Sequence, residues 1–503
     1  MKRVIALAAA AALVGAVPAV TAPAVAAGGG SLTVTTIDRH GHVVTSILRA
    51  IRLKDGAGFA MRSGHTRRLP PGRYDVVMDI VDRHDYSATA AVKRVTVDGA
   101  ETLVIDARHG RRVVPALRPA PPADYVLTTG LEICIAGSAE LAAWPDEFPL
   151  YAIPSGLSEV SLGLNTSWVP VGYAAPGPQF VGVVGYTGGI PSRIAPIIRQ
   201  SALATLLVHG RAGYLTGQRR LELRGSGGAC RGNAMLAQSY PTIPYTVAFH
   251  VTPGSWTVAQ EGDESPAGIG HRYAAGRRYA VTLAGAVKGP GARLPITDSY
   301  SRELLVGPVS MFTGVDRPFS MDEAASFRLT HGRVVVLDRH DVGSVQPRLP
   351  GRGWYTLVVS ARRRADGAPA AGLSTRSSLR LHFFADPGRD RQVADYVTLF
   401  RPAGLDRTNA AAGPRTTVAL RLVRPRPDAK DVERLPDRVK AVHAWYSTDA
   451  GRTWHAVRVV HSGGHWRVSV PNPSAGYVSL RSRVDDTRGG WATTTVIRAY
   501  AVR

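Results

Sequence analysis

Apolar and polar residues alternate in short runs along most of the chain. In the first hundred or so residues the runs cover residues 32–37, 43–53, 75–81, 92–97 and 102–105. A period of two is typical of a β-strand with one buried face, because successive side chains point to opposite sides of a sheet. Clusters of Gly, Pro and Asp separate the runs at intervals of roughly ten residues, a spacing typical of β-sandwiches. The pattern predicts an all-β chain of tandem β-sandwich domains.

The alternation is most regular near the C-terminus. Five runs occur there, over residues 439–446, 454–460, 465–470, 477–484 and 494–500, with Gly-, Pro- and Asp-rich turns between them. Five short strands joined by tight turns predict an immunoglobulin-like β-sandwich.

The middle of the chain is less regular. Strands are expected across residues 125–265, but residues 192–207 leave one helix as an alternative, because Ile194, Ile197 and Ile198 are loosely spaced at helical intervals. We expect the following division: a signal peptide at 1–27, a first β-sandwich at 28–118, a β-rich middle domain at 119–265, a further β-sandwich at 266–395 and the C-terminal β-sandwich at 396–503.

The N-terminal residues predict export from the cell. Lys2 and Arg3 precede an apolar stretch over residues 4–17, and an A-x-A cleavage site follows at residues 24–26. This arrangement is typical of a secretory signal peptide that is removed. We expect cleavage near Ala26–Ala27, a secreted (extracellular) mature chain, and no membrane span after cleavage.

The net positive charge is large, but it does not by itself indicate a class of binding partner. The chain has 61 Lys+Arg and 38 Asp+Glu, a formal net charge of +23. Nucleic-acid binding proteins usually concentrate such charge on one element, whereas here Arg is scattered along the sequence. The composition therefore predicts no specific nucleic-acid partner and remains compatible with an anionic polymer or an acidic envelope.

The expected export affects how the two cysteines are interpreted. Cys134 and Cys230 are the only pair in the sequence, and an oxidising exterior favours a disulfide between them. Two buried free thiols are the alternative. With no other cysteine, a Cys-based zinc cluster is excluded.

Other polar and aromatic residues give weaker signals, and we predict no metal or cofactor from them. His40 and His42 could join His65 or His84 at a metal, although fifteen His make such proximity common by chance. The acids near residues 386–395 and 485–486 are calcium ligand types, yet turn formation explains them better. A sugar platform competes with ordinary core and hairpin packing as the role of six tryptophans, Trp256, Trp354, Trp445, Trp454, Trp466 and Trp491.

Two segments resemble a known family. Residues 69–74 read Leu-Pro-Pro-Gly-Arg-Tyr after an Asp38-x-x-Gly41 turn, and this resembles prealbumin-like, carboxypeptidase-regulatory-like domains. Residues 447–454 have the shape S-x-D-x-G-x-T-W within the C-terminal module. Together they look like the non-catalytic accessory region of secreted actinobacterial subtilisin-like serine peptidases, without the catalytic domain.

The resemblance transfers no catalytic residue. Subtilisin-like catalysis needs a Ser in a G-T-S-M type motif, and the sequence has none. We therefore expect a secreted, non-catalytic multi-domain β protein that acts as a binding or spacer module at the cell exterior, with a cell-envelope polymer or a secreted protein as partner. The alternatives are a cryptic secreted hydrolase, peptidase-like in character, and a partner or regulator of a secreted serine peptidase.

Overall fold

Among the residues that the structure describes, nearly all regular structure is β-strand, as the alternating pattern predicts. A computed structural model describes residues 29–135, 138–143, 148–172, 177–213, 217–226, 234–260, 269–291, 296–298, 301–306, 311–312, 325–365, 368–369, 372–389, 391–393, 396–424 and 438–503. The predicted signal peptide lies outside these residues. No helix in the described ranges is long and apolar enough to cross a membrane.

The contacts divide the chain into two compact units. The first runs up to Asp82 and includes Thr89–Gly110, and the second contains Arg83–Ala88 and Arg111–Arg503. The strands of the first unit are β1 (Gly30–Ile37), β2 (Val43–Val44), β3 (Ile47–Arg52), β4 (Gly58–Arg62), β5 (Thr66–Leu69), β6 (Gly72–Val81), β7 (Ala88–Val97) and β8 (Ala100–Asp106), followed by a 3₁₀ turn at Ala107–His109.

The first unit contains two sheets. One has the order β2-β1-β5, with β8 parallel to β1, and the other includes the order β4-β3-β6-β7. Leu32, Val34 and Ile80 are buried, as the period of two predicts. Tyr74, the third residue of β6, is also buried, and its hydroxyl donates to the Pro70 carbonyl at 2.6 Å.

The first half of the second unit forms a seven-stranded and a four-stranded sheet. Its strands are β9 (Arg111–Arg112), β10 (Ala116–Arg118), β11 (Tyr125–Ile135), β12 (Ser138–Ala143), β13 (Leu150–Ala152), β14 (Val160–Pro170), β15 (Gln179–Thr187), β16 (Ile197–Arg199), β17 (Ala204–Gly210), β18 (Leu221–Ser226), β19 (Ala234–Ser239), β20 (Tyr245–Val251), β21 (Gly254–Gln260), β22 (Ile269–Tyr273) and β23 (Arg278–Leu283). Among the described residues the sheets have the orders β12-β11-β14-β15-β20-β17-β23 and β19-β18-β21-β22.

The alternative helix in residues 192–207 is wrong. The segment contains β16, a 3₁₀ turn at Gln200–Ala202 and the start of β17. Tertiary pairing decides the outcome, because β16 pairs with β10 and β17 lies between β20 and β23. Loosely spaced apolar residues are compatible with either structure, so the sheet partners, rather than local preference, determine it.

The second half of this unit is dominated by one large sheet. Its strands are β24 (Ile296–Asp298), β25 (Glu303–Leu305), β26 (Ala325–His331), β27 (Val334–Val342), β28 (Gly353–Arg362), β29 (Arg364–Ala365), β30 (Ala368–Pro369), β31 (Arg376–Ala385), β32 (Arg391–Gln392), β33 (Val397–Pro402), β34 (Ala410–Ala411), β35 (Arg415–Val423), β36 (Val439–Ser447), β37 (His455–Val457), β38 (Val459–Ser462), β39 (His465–Pro471), β40 (Gly476–Asp486) and β41 (Trp491–Val502).

The large sheet has nine strands within the described part of the chain. Its order is β27-β26-β28-β31-β41-β40-β36-β37, with β34 also paired to β41. The junction between β31 and β41 joins strands on both sides of the domain boundary expected near residue 396. A smaller sheet has the order β33-β35-β39-β38.

Two hydrophobic clusters cover the inner face of the large sheet. One contains Phe327, Tyr355 and Phe383 from the β26-β28-β31 half. The other packs the β41-β40-β36 half against the smaller sheet and includes Val418 and Tyr500. With its inner face covered in this way, the large sheet has an outer face made of the alternate residues of the same strands.

Candidate ligand-binding face

The outer face of the nine-stranded sheet follows from strict alternation along its strands. In β28 the residues Tyr355, Leu357 and Val359 are buried, while Trp354 and Arg362 are exposed. Strand β31 alternates in the same way. We define the outer face by the outward side chains of the central strands, namely Trp354, Thr356, Val358, Ser360, Arg362, Arg376, Ser378, Arg380, His382, Phe384, Arg481, Arg483, Asp485, Trp491, Thr493, Thr495, His443 and Trp445.

Aromatic rings form a row across one end of this face. The Trp354 and His382 rings stack at 4.9 Å between centroids and 9° between planes, and His382 stacks on Trp491 at 5.4 Å and 21°. Phe384 meets Trp354 edge-on at 5.7 Å. We name these four residues the aromatic row. Because the rings stack from strand to strand, their faces contact one another and their edges point away from the sheet.

Guanidinium groups continue the aromatic row. Arg483 lies 4.5 Å from the Trp491 ring centroid and Arg380 lies 5.3 Å from it, both within cation–π distance. Arg483 also forms an ion pair with Asp485 at 2.8 Å. Burial, and then the charges of Arg380 and Arg483, lower the pKa of His382 from its ordinary value. Burial and the two neighbouring cations therefore favour the neutral form of the His382 imidazole.

A groove of about 680 Å³ occupies the other end of the outer face. We name it the arginine groove, because Arg362, Arg376 and Arg481 line it. The remaining lining residues are Ser326, His340, Asp341, Ser360, Ala361, Ser377, Ser378, Ala450, Gly451, Thr495 and Ile497. Three cations against the single carboxylate of Asp341 give this groove a positive potential.

Two of the three groove arginines contact neutral partners. Arg481 stacks 4.0 Å from the Trp454 ring centroid, and its Nε donates to the Thr495 hydroxyl at 3.2 Å. Arg376 donates to the Ala450 carbonyl at 3.4 Å. In the part of the chain that the structure describes, none of the three forms an ion pair with a carboxylate. Arg376 and Arg481 are therefore positioned by neutral groups while their charges stay available to a ligand.

The S-x-D-x-G-x-T-W segment builds one wall of the arginine groove. The Asp449 carboxylate accepts from the Thr453 and Arg452 amides, both at 2.9 Å, and from the Ser447 hydroxyl at 2.7 Å. The Thr453 hydroxyl also donates to Asp449. This hydrogen bond contributes most, and together with the others it holds the pKa of Asp449 well below its usual range. Trp454 closes the turn by donating from Nε1 to the Gly451 carbonyl at 3.0 Å. The motif is thus a rigid hairpin that fixes the groove wall.

The structure separates the six tryptophans into different environments. Trp354 and Trp491 lie in the aromatic row, Trp445 shares the outer face, and Trp454 supports the groove. Trp256 is buried in another core, and Trp466 stacks on His461 in the smaller sheet. Sequence reasoning missed His382 and the arginines, because only the strand pairing places them beside Trp491.

Only Cys134 of the predicted disulfide pair lies within the described residues. Cys134 is buried in β11, and no free cysteine occurs in the described ranges. Cys230 lies outside the described residues, so the pairing of Cys134 with Cys230 stays a prediction.

A polar cluster surrounds the first turn of the first unit. Asp38, His40 and Asp82 place potential ligand atoms within 4.8 Å of one another. The His40 and His42 amides donate to Asp38 Oδ1 at 2.9 and 2.8 Å, and His40 Nδ1 lies 2.6 Å from Asp82 Oδ2. His40 thus joins two acids, and His65 and His84 do not belong to this group.

The acids considered as calcium ligands lie in other environments. Asp485 pairs with Arg483, and Asp486 accepts from the Gly490 amide. Asp390 and Asp395 lie outside the described residues.

The comparisons with known proteins give remote likenesses. No known protein family matches the sequence, and no curated protein matches it. Among solved structures the chain is similar to the Bacillus anthracis TIE protein at 12% identity, over 51% of this chain and 50% of that chain, with a TM-score of 0.14. It is similar to a streptococcal ancillary pilin at 9% identity, over 50% of this chain and 99% of that chain, with a TM-score of 0.13. Sidekick-1 immunoglobulin domains 1–5 match at 10% identity, over 94% and 96% of the chains, with a TM-score of 0.11. The chain thus spans half the length of the TIE protein chain.

Proposed function

We propose that the chain is a secreted, non-catalytic β-sandwich protein that binds a cell-envelope polymer through the outer face of the nine-stranded sheet. The observation that carries the proposal is the arginine groove, where three guanidinium groups line one cavity with no carboxylate partner among the described residues. Arginines placed in this way raise the local concentration of an anionic ligand and donate several hydrogen bonds to it.

The scaffold favours binding. The outer side chains stand on paired strands whose inner faces are packed into two hydrophobic cores, so the face is rigid. A rigid face loses little conformational entropy when a ligand arrives. The groups on the face are hydrogen-bond donors, hydroxyls and aromatic rings, a composition suited to holding a polar polymer.

The S-x-D-x-G-x-T-W hairpin is the feature that this chain shares with the peptidase accessory regions it resembles. We propose that the chain and those regions share the S-x-D-x-G-x-T-W hairpin as a way to shape a surface. Support comes from the role of the hairpin here, because Ala450 and Gly451 lie in the groove lining and Trp454 holds Arg481.

Cosedimentation with purified actinobacterial cell walls tests the proposed function. The variant R376E/R380E reverses two exposed charges on the outer face, and R272E/R467E makes the same change in charge on other sheets. We expect the first variant to lose roughly tenfold in bound fraction, because like charge repels an anionic polymer, and the second to bind within twofold of the wild type. Equal loss in both variants, or in neither, would contradict a role for this face.

A further inference from the structure

We infer that the arginine groove takes an acidic polysaccharide in which alternate sugars carry a carboxylate. The inference rests on the proposed function and adds the chemical class of the ligand. The strand register provides its first support. Four hydroxyl residues lie directly opposite one another on four adjacent strands, because Ser326 pairs with Ser360, Ser360 with Ser378, and Ser378 with Thr495.

This hydroxyl row forms the floor of the groove. It spans three strand intervals, or about 14 Å, since neighbouring strands lie ~4.8 Å apart. Ser326 contacts His340 Nδ1 at 3.0 Å and Thr495 accepts from Arg481. The hydroxyls of Ser360 and Ser378 have no hydrogen-bond partner among the described residues, so they are available to the hydroxyls of a sugar chain that crosses the strands.

The arginines mark two positions along this floor. Arg362 pairs directly with Arg376 in the sheet register, and together they form a double cation beside the Ser360–Ser378 pair. Arg481 lies opposite Thr495 at the end of the hydroxyl row, on the second strand beyond Arg376. Two strand intervals and a displacement of two residues along the strands separate the backbone positions of Arg376 and Arg481 by about 12 Å. A polymer with an anionic group on alternate sugars can place one carboxylate at each position, where a planar guanidinium donates two parallel hydrogen bonds to it.

The aromatic row distinguishes this ligand from a single-stranded nucleic acid. Nucleic-acid binding grooves offer free ring faces on which bases stack. Here both faces of His382 are covered by Trp354 and Trp491, and the Trp491 ring is also covered by guanidinium groups. The outer face therefore offers ring edges and cations, which attract anions and provide little surface for base stacking.

Titration calorimetry with hyaluronate tests the inference, because this polymer carries one carboxylate on every second sugar. The variant R362Q/R376Q removes the double cation, S360A/S378A removes the two hydroxyls, and R73Q/R272Q is the control at two exposed arginines elsewhere. We expect hyaluronate affinity to fall about tenfold or more in R362Q/R376Q, about threefold in S360A/S378A, and less than twofold in the control, since charge-assisted hydrogen bonds contribute more than neutral ones.

Further probes separate the classes of ligand. Dextran replaces hyaluronate with a neutral glycan, and an oligothymidylate replaces it with a nucleic acid. Equal or tighter binding of either probe would overturn the acidic polysaccharide. If hyaluronate does not bind while cell-wall binding still depends on Arg376 and Arg380, the ligand class is wrong and the proposed function stands. If cell-wall binding is also insensitive to the outer face, both are wrong.

Discussion

At the scale of single residues, Asn409 connects three segments of the second unit. Its side chain is fully buried and its backbone has φ +57, a conformation that Asn tolerates better than other non-glycine residues. Nδ2 donates to the Ala212 and Ala284 carbonyls at 2.9 and 2.8 Å, and Oδ1 accepts from the Ala286 amide at 2.9 Å. A single amide thus satisfies three backbone groups that are distant in sequence.

The substitution Asn409→Ala should lower the free energy of unfolding by about 3 kcal/mol, because it removes three hydrogen bonds between a buried amide and the backbone. Denaturant unfolding of the second unit measures the change. Thr408→Ala at the neighbouring half-buried position, which loses one hydroxyl contact with Asp406 at 2.8 Å, serves as the control and should cost about 1 kcal/mol or less. An Asn409→Ala variant as stable as the control would show that the network contributes little.

The lowered pKa of Asp449 predicts that the stability of the protein depends on pH. The folded pKa of Asp449 is lowered below the ordinary 3.8, so its contribution is complete above that pH and is lost as the pH falls through the folded value. Asp449→Asn should therefore lower the melting temperature at pH 7, and the difference from wild type should narrow below pH 4. Thermal melts across this range test it, with the exposed Asp124→Asn as control. A constant difference at all pH values would contradict the charge-based account.

At the scale of elements, the alternating pattern indicates strands more reliably than it indicates their partners. The runs expected at 477–484 and 494–500 correspond to β40 and β41. A strand with one buried face has apolar residues at every second position, and this period is visible in the local sequence. The pairing of Arg362 with Arg376 and of His382 with Trp491 depends on register between distant segments, which no local pattern specifies. The sequence therefore predicts the strands and individual tryptophans, while the arginine groove emerges only from the sheet.

The aromatic row should contribute to both stability and binding. Trp491→Ala removes one stacked pair and two cation–π contacts, which amounts to about 2 kcal/mol of unfolding free energy. Trp466→Ala is the matched control, because its ring stacks on His461 at 3.9 Å in the smaller sheet. We expect both variants to be destabilised, and only Trp491→Ala to weaken cell-wall binding. Equal binding by the two variants would show that the aromatic row does not contribute to the ligand site.

At the scale of the whole molecule, the signal peptide expected from the sequence leads us to propose that this tandem β-sandwich protein works in an oxidising exterior. The two cysteines belong to this scale, since Cys134 lies in the large seven-stranded sheet and its expected partner is distant in sequence. Closing a loop of roughly a hundred residues limits the unfolded chain far more than it limits the folded one.

The predicted disulfide has a direct consequence for stability. Replacing Cys134 and Cys230 by Ala should lower the free energy of unfolding by roughly 4–5 kcal/mol at most, following the loop-entropy relation. Peptide mapping of the secreted protein without reducing agent should recover the two cysteines in one linked fragment. Separate fragments carrying free thiols would contradict the pairing.

Arginine footprinting tests whether the outer face of the nine-stranded sheet holds an anionic polymer. Phenylglyoxal modification is followed residue by residue by mass spectrometry, with and without saturating hyaluronate. We expect Arg362, Arg376 and Arg481 to become protected several-fold, while the exposed Arg73 and Arg467 react at unchanged rates. Uniform protection of all five arginines, or protection confined to Arg73 and Arg467, would contradict it.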